Sequence, residues 1–248
     1  MFKVSPLRLR VFRTCLLRYK YQYVERLRAR LRIQDTAGSC VHTVLGEFFA
    51  KVAAPERTAE RLLSMFDRRW GALSPRYLSM DGVEALGRGS RQQLEKFARQ
   101  QELTKQPFLV EAYFETHLAP DIVLFGRLDR ADEEADFSLH IVDYKTGSHP
   151  EEVEGDQLRL YAVLAQDNLE RRVSRGSFWY LDDSQMWTIE LDEDEKAQAK
   201  EDAVLQTLEM RRATEFPGTI APHCAFCPYL HACELRNEIA EQRQVEGW

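Results

Sequence analysis

Asp129, Asp143 and Lys145 are the residues whose types and spacing point first to chemistry. Asp129 lies near the end of Gly126-Arg127-Leu128-Asp129-Arg130, and Asp143 and Lys145 lie in Ile141-Val142-Asp143-Tyr144-Lys145-Thr146-Gly147. Each stretch is apolar or β-branched on its approach and ends in charge. The segment between them, Ala131 to Ser138, is acidic and turn-like, which predicts a β-hairpin carrying Asp129 on one arm and Asp143 with Lys145 on the other. Alternation along a strand puts Asp143 and Lys145 on one face and Tyr144 on the opposite one. Two carboxylates beside an ammonium are costly to bury for structure alone. With a divalent metal between the carboxylates, the cluster suits phosphodiester hydrolysis, because the cation neutralises the phosphate, lowers the pKa of its water and orients attack. Hard cations take oxygen ligands, here Asp129, Asp143 and the Tyr144 carbonyl. Lys145 would stabilise charge developing on the phosphate or position the attacking water. An isolated Asp-x-Lys, by contrast, is more often an ordinary surface ion pair.

Gln157 and Tyr161 are four apart, hence one turn apart on one face of a helix. In their order, Asp129, Asp143-x-Lys145 and Gln157-x-x-x-Tyr161 resemble the PD-(D/E)xK nuclease superfamily in its RecB-like branch. The resemblance runs from Ser5 to Cys233 and is patchy between about residues 55 and 105. It implies an α/β fold of the restriction-endonuclease kind, a mixed β-sheet core flanked by helices, with Gln157 and Tyr161 beside the active centre. It also implies that His42, in Gly38-Ser39-Cys40-Val41-His42-Thr43-Val44-Leu45, is offered to the metal site, although a lone histidine on an apolar helix is more often a core residue. Glu111 matches a glutamate often found on the strand before the hairpin, supporting the metal ligands from behind. The activity implied is Mg²⁺- or Mn²⁺-dependent hydrolysis of DNA, single-stranded and exonucleolytic. The relatives in kind are CRISPR-associated exonucleases and the nuclease domains of helicase–nuclease complexes, so a helicase or CRISPR integration partner is implied, in DNA repair, recombination or CRISPR adaptation.

Cys224-x-x-Cys227 followed by Cys233 gives three thiols among prolines (Pro222, Pro228), one short of a closed four-ligand site. The fourth is Cys15 or Cys40, unless His223 or His231 completes a zinc site. Cys15, in Phe12-Arg13-Thr14-Cys15-Leu16-Leu17-Arg18-Tyr19, resembles the N-terminal motif of RecB-like nucleases with a [4Fe–4S] cluster, in which one N-terminal cysteine joins three C-terminal ones. Leu16 stands where that motif usually has proline. The resemblance implies an iron–sulfur loop formed by Cys15, Cys224, Cys227 and Cys233 and tied to the N-terminal helix. Cys40 reads as a small buried hydrophobe.

The elements that must position these groups follow from periodicity and breakers. Ser5-Pro6 starts a helix on which Leu7, Phe12, Leu16, Tyr19 and Tyr23 recur. Further helices are predicted from about Thr36 to Val52, Pro55 to Trp70 and Asp81 to Leu103. The period then shifts towards two, giving antiparallel strands at Phe108–His117, Ile122–Arg130 and Phe137–Lys145, then a helix from Glu151 to Leu169. A hairpin of Ser177–Leu181 and Met186–Leu191, a charged helix Glu193–Arg212 and the cysteine tail complete the chain. The order fits a mixed sheet flanked by helices in a single nuclease domain over 1–248: a mainly helical part to 105, a catalytic core over 106–192 and the helix and tail beyond.

The net charge is 34 − 40 = −6, so this is no uniformly basic nucleic-acid binder. Residues 1–32, however, hold ten Lys or Arg against the single acid Glu25, and Arg10, Arg13 and Lys20 are candidates to face DNA. No stretch approaches the ~20 apolar residues of a membrane span, and the start lacks a secretory signal. Five cysteines without an export signal suggest a reducing, cytoplasmic location. No Gly-Lys pair occurs, so no Walker-type phosphate loop is present and any helicase action must come from a partner. Two rival functions are a non-catalytic DNA-binding or assembly subunit of a helicase–nuclease or CRISPR complex, and a metal-dependent hydrolase of RNA or another phosphodiester. Retention of Asp129, Asp143 and Lys145 together weighs against the first.

Overall fold

Strand β3 (Ile122–Glu133) organises the molecule. A computed structural model of the chain describes residues 1–30, 32–150 and 153–248. Along one edge of β3 runs the antiparallel β2 (Leu109–Ala119). The other edge is shared by two partners: the short β1 (Phe2–Val4) pairs in parallel with Ile122–Leu124, and β4 (Leu139–Lys145) pairs antiparallel with Arg130–Glu133. Parallel strands need a long crossover. Here α7 (Asp156–Leu169) supplies it, leading from β4 to β5 (Val173–Tyr180), and β6 (Gln185–Glu190) returns antiparallel. The result is the expected mixed α/β architecture with a mixed six-stranded sheet.

Side chains from alternate positions of β3 and β4 feed two cores. Leu128, Leu139 and Ile141 join Val4 of β1 and Leu9 and Phe12 of α1 (Pro6–Thr14), together with α7 and α8 (Glu193–Arg212). Val142 and Tyr144 point the other way, into Phe48, Phe49, Leu62, Phe66 and Phe97 of α3 (Ile33–Lys51), α4 (Ala59–Gly71) and α6 (Val83–Gln100). The short α2 (Leu16–Tyr19) and α5 (Pro75–Leu78) follow α1 and α4, and α9 (Arg236–Glu246) ends the chain.

Ser5 caps α1 as its sequence predicts, its Oγ accepting from the Arg8 N–H at 3.2 Å with Pro6 at the first helical position. Asp192 caps α8, where acids fill the first turn and Arg211 and Arg212 the last, complementing the helix dipole. Several bounds move. The expected single N-terminal helix breaks at Cys15, which is extended (φ −162°), and continues as α2 and a π-helical turn at Lys20–Val24. The expected Pro55–Trp70 helix begins at Ala59 because Thr58 is the stronger cap, leaving Ala54–Glu56 as a 3₁₀ turn. Strand β4 starts at Leu139 because Phe137 sits at φ +64° in the turn. Of the expected Glu151–Leu169 helix, Glu151 and Glu152 lie outside the described residues and the helix runs from Asp156. The strand β1 and the helix α9 were not anticipated. The first is too short to show a period, and the second buries only Ile239.

Candidate active site

The β3–β4 ladder ends at the pair Arg130–Val142, one step short of the two aspartates. At this fork the Tyr144 N–H donates to Asp129 Oδ2 at 2.9 Å instead of to the neighbouring strand. His42, on α3, brings Nδ1 to 3.1 Å from the same oxygen. Burial disfavours the charged form of the His42 ring, but the hydrogen bond and charge of Asp129, with Asp143 and Glu111 beyond, outweigh it and raise the pKa.

Asp143 is buried. Its Oδ1 accepts from Gln157 Nε2 at 2.9 Å, and Lys145 Nζ stands 2.7 Å from Oδ2. That ammonium acts as a nearby charge rather than an aligned donor, for Oδ2 is buried without a well-directed hydrogen bond among the described residues. Lys145 Nζ donates instead to Gln157 Oε1 at 3.0 Å and lies 4.4 Å from the Phe178 ring centroid, within cation–π range. Burial raises the Asp143 pKa, and the Asp129 charge adds to it against the pull of Lys145. Two like charges with one lone pair unsatisfied form an electrostatically unfavourable set that a cation relieves. The donors are carboxylate oxygens, the chemistry that hard Mg²⁺ or Mn²⁺ prefers.

Tyr161 lies one turn beyond Gln157 on α7, its hydroxyl pKa raised by burial and then by the Asp143 charge. Gly126 makes room for it: a Cβ there would stand 2.8 Å from Tyr161 Cε1. Tyr144 points away from the carboxylates into the second core, and burial pushes its hydroxyl up to about 12. Glu111 lies on β2 between Val110 and Ala112, which pair with Arg130 and Leu128 on either side of Asp129, and it holds the left-handed conformation (φ +51°), unusual for a non-glycine residue in a strand. Its side chain fits over Gly46 of α3, where a Cβ would come within 2.5 Å of Glu111 Cγ. Burial, then the Asp129 charge, raise the Glu111 pKa.

The structure thus brings together the residues that sequence nominated: His42, Glu111, Asp129, Asp143, Lys145, Gln157 and Tyr161. Sequence reasoning missed Phe178 beneath Lys145 and the helper glycines Gly46 and Gly126. A glycine inside a strand pattern, as at Gly126, signals close approach and could have been read so. The neighbouring cleft, of about 440 Å³, is lined by Lys145 and Gln157 and by Arg10 and Arg13. Arg13 is paired there with Glu154 and Asp156, and Lys20 with Glu25. These are exposed pairs worth about 0–1 kcal/mol each, weak enough for a phosphate to displace.

In the tail, Cys15, Cys224, Cys227 and Cys233 line one cavity. Burial is the largest influence raising the pKa of Cys224 and Cys233. Leu17 N–H donates to the Pro217 carbonyl at 3.2 Å and Glu234 N–H to the Tyr21 hydroxyl at 3.4 Å, tying the N-terminal turns to the tail. Cys40 belongs to a different cluster, in the core beside Phe48, so it is not the fourth thiol. His223 lines the cysteine cavity and His231 does not. Among the described residues no group of three or more His, Cys, Asp or Glu side chains is already arranged to hold a metal, and no helix is long and apolar enough to cross a membrane.

A mixed sheet covered by helices on both faces, with paired carboxylates and a lysine where two strands part, marks an α/β protein whose polar centre is built at a strand fork. The chain belongs to the PD-(D/E)XK nuclease superfamily, whose family model matches residues 3–234. Nucleases of this superfamily are generally dependent on Mg²⁺ or Mn²⁺. Among solved structures, the chain is similar to that described as the crystal structure of SSO0001, at 11% identity over 94% of this chain and 85% of that one, with a TM-score of 0.46. No curated protein matches it significantly.

Proposed function

We propose that the chain is a divalent-metal-dependent deoxyribonuclease of the RecB-like branch, acting as an exonuclease on single-stranded DNA in the cytoplasm, beside a helicase or CRISPR integration partner. The observation that carries this reading is the cluster at the fork, in which Asp143, Lys145 and Gln157 contact one another while Asp129 is held by Tyr144 N–H and His42. Asp129 and Asp143, with His42 and the Tyr144 carbonyl, would hold Mg²⁺ or Mn²⁺, which when bound supplies Lewis acidity toward the phosphate and an acidified water. Lys145 places a positive charge where the phosphate oxygens gather charge, and its Gln157 and Phe178 contacts keep it aimed there. Gln157 bridges lysine and aspartate, so the two are oriented as one unit. Tyr161, next along the same helix face, packs beside Gln157 and closes that side of the centre.

For the tail we propose a [4Fe–4S] cluster held by Cys15, Cys224, Cys227 and Cys233. What supports it is the donor set: four thiols from opposite ends of the chain lining one cavity. A zinc site completed by His223 is the second reading, favoured by one observation, that His223 Nε2 is buried in the same cavity without a hydrogen-bond partner among the described residues.

The test is cleavage of end-labelled single-stranded DNA, duplex DNA and RNA in Mg²⁺, Mn²⁺ or EDTA. Metal-dependent loss of labelled single-stranded DNA supports the proposal. DNA binding without cleavage supports the assembly-subunit alternative, and preference for RNA moves the substrate class.

A further inference from the structure

We infer that an arginine-lined groove between Arg28, Arg30 and Arg32 on one side and the cysteine tail on the other binds the backbone of a single-stranded nucleic acid, separately from the cleft beside Lys145. Two adjoining concavities, of about 590 and 450 Å³, share Arg30 and His231. They are lined by Arg28, Arg30, Arg32, Arg76, Arg236 and Arg243, with no carboxylate among the described lining residues. In a chain of net charge −6 this is a strong local concentration of positive charge. Arg28, Arg30, Arg76 and Arg236 form none of the ion pairs found among the described residues. Arg32 lies 3.9 Å from Asp35, and Arg243 donates to the Trp248 carbonyl.

The second observation is aromatic. Phe226 is 68% exposed at the groove wall, and the Arg32 guanidinium lies 5.9 Å from its ring centroid. An exposed ring in a groove lined by arginines is the combination that holds unpaired bases and their phosphates at once. A duplex offers no free base face to stack on, and an acidic polypeptide has no need of the ring. The groove is also braced: Arg30 N–H donates to the Pro228 carbonyl at 2.9 Å, and an Arg32 N–H donates to the Phe226 carbonyl. Its far wall leads to the catalytic residues, since Arg32 directly precedes α3 and His42 lies ten residues further on, about 15 Å at 1.5 Å per residue.

The choice of ligand rests on the deoxyribonuclease reading, so the experiment separates the two. Fluorescein-labelled oligodeoxythymidylate is titrated with the full chain in EDTA across a salt series, and cleavage by the parent in Mg²⁺ is followed in parallel. The double variant Arg30→Ala/Arg236→Ala should weaken binding and flatten the slope of log K against log salt by about 1.4, roughly 0.7 for each phosphate contact. Phe226→Ala should weaken binding by roughly five- to a hundredfold with little change in slope. Unchanged affinity and slope in both variants, with the parent cleaving DNA, would overturn the groove and leave the nuclease reading standing. Altered slopes with no cleavage by the parent would uphold the groove and sink the nuclease reading. If labelled polyglutamate, titrated in the same way, bound the parent but not the double variant while DNA binding stayed intact, the groove's assignment would be overturned in favour of an acidic protein partner.

Discussion

Asp129 and Asp143 sit opposite each other at the first rung that the β3–β4 ladder does not form. The last pair, Arg130 with Val142, lies one step before them, and the Tyr144 N–H turns to Asp129 Oδ2. Parting the strands there satisfies the freed backbone donor with a side chain. It also places both carboxylates within electrostatic reach of one another, of His42 and of Lys145.

From this follows the effect of removing the charge. Asp143→Asn and Lys145→Ala should each lower single-strand cleavage by about 10²–10³, the usual loss for an electrostatic stabiliser of this kind. In EDTA, Asp143→Asn should melt no lower than the parent, because burial and Asp129 already disfavour the ionised carboxylate. Parallel cleavage and thermal-melt measurements check both halves. A sharply lowered melting point would mean that Asp143 stabilises the fold.

Gly126→Ala should damage stability and cleavage together. The new methyl would stand 2.8 Å from Tyr161 and 3.0 Å from Leu164, overpacking that costs about 1–3 kcal/mol. At this chain length that lowers the melting point by roughly 2–12 °C. Gly89→Ala in α6, with nothing within 4 Å of the added carbon, should instead stabilise by about 0.5–1 kcal/mol. Equal melting points for the two variants would show that Gly126 is not making room for Tyr161.

His140 gives the fold a pH dependence away from the active site. Its ring is nearly buried, with Nε2 2.7 Å from Ser177 Oγ; burial first, and the Arg175 charge second, lower its pKa. The unfolded chain therefore binds the proton more readily. The stability linked to this residue is fully present above the unfolded value of about 6.5 and is lost as pH falls through the folded pKa. Melting in EDTA from neutral to mildly acid pH should show the decline, and His140→Gln should flatten it. An equal decline in the variant would assign it to other groups.

Cys15 and Cys224 are 209 positions apart, so a cluster joining them would close a loop over most of the chain. In a chain-entropy picture such a crosslink is worth on the order of 5 kcal/mol, against a typical domain stability of about 5–15. Cys15→Ala and Cys227→Ala should each give colourless, aggregation-prone protein, while Cys40→Ala, in the separate α3 core, should keep its colour and activity. Anaerobic purification should yield about four iron atoms per chain. Stoichiometric zinc without iron would transfer the site to three cysteines and His223.

The hairpin and its residues were legible because β-alternation and charge placement act over a few positions. Asp143 and Lys145 on one face, with Tyr144 on the other, needed only the period of two. The helix carrying Gln157 and Tyr161 showed equally clearly. What sequence could not show was set by tertiary contact. The left-handed Glu111, the break at Cys15 inside an otherwise continuous helical pattern, and the seating of Lys145 over Phe178 each depend on a neighbour far along the chain. The basic N-terminus was visible as composition, but its division was not. Arg10 and Arg13 went to the cleft beside Lys145, and Arg28, Arg30 and Arg32 to the groove at the tail.

The central claim, that the fork between β3 and β4 is a metal-dependent phosphodiesterase centre, is tested most directly by following end-labelled single-stranded DNA with parent and Lys145→Ala protein, in Mg²⁺ and in EDTA. Progressive loss of label is expected with the parent in Mg²⁺, none in EDTA, and a rate lower by about 10²–10³ for Lys145→Ala. Cleavage by Lys145→Ala at the parent's rate, or cleavage by the parent that survives EDTA, would contradict it.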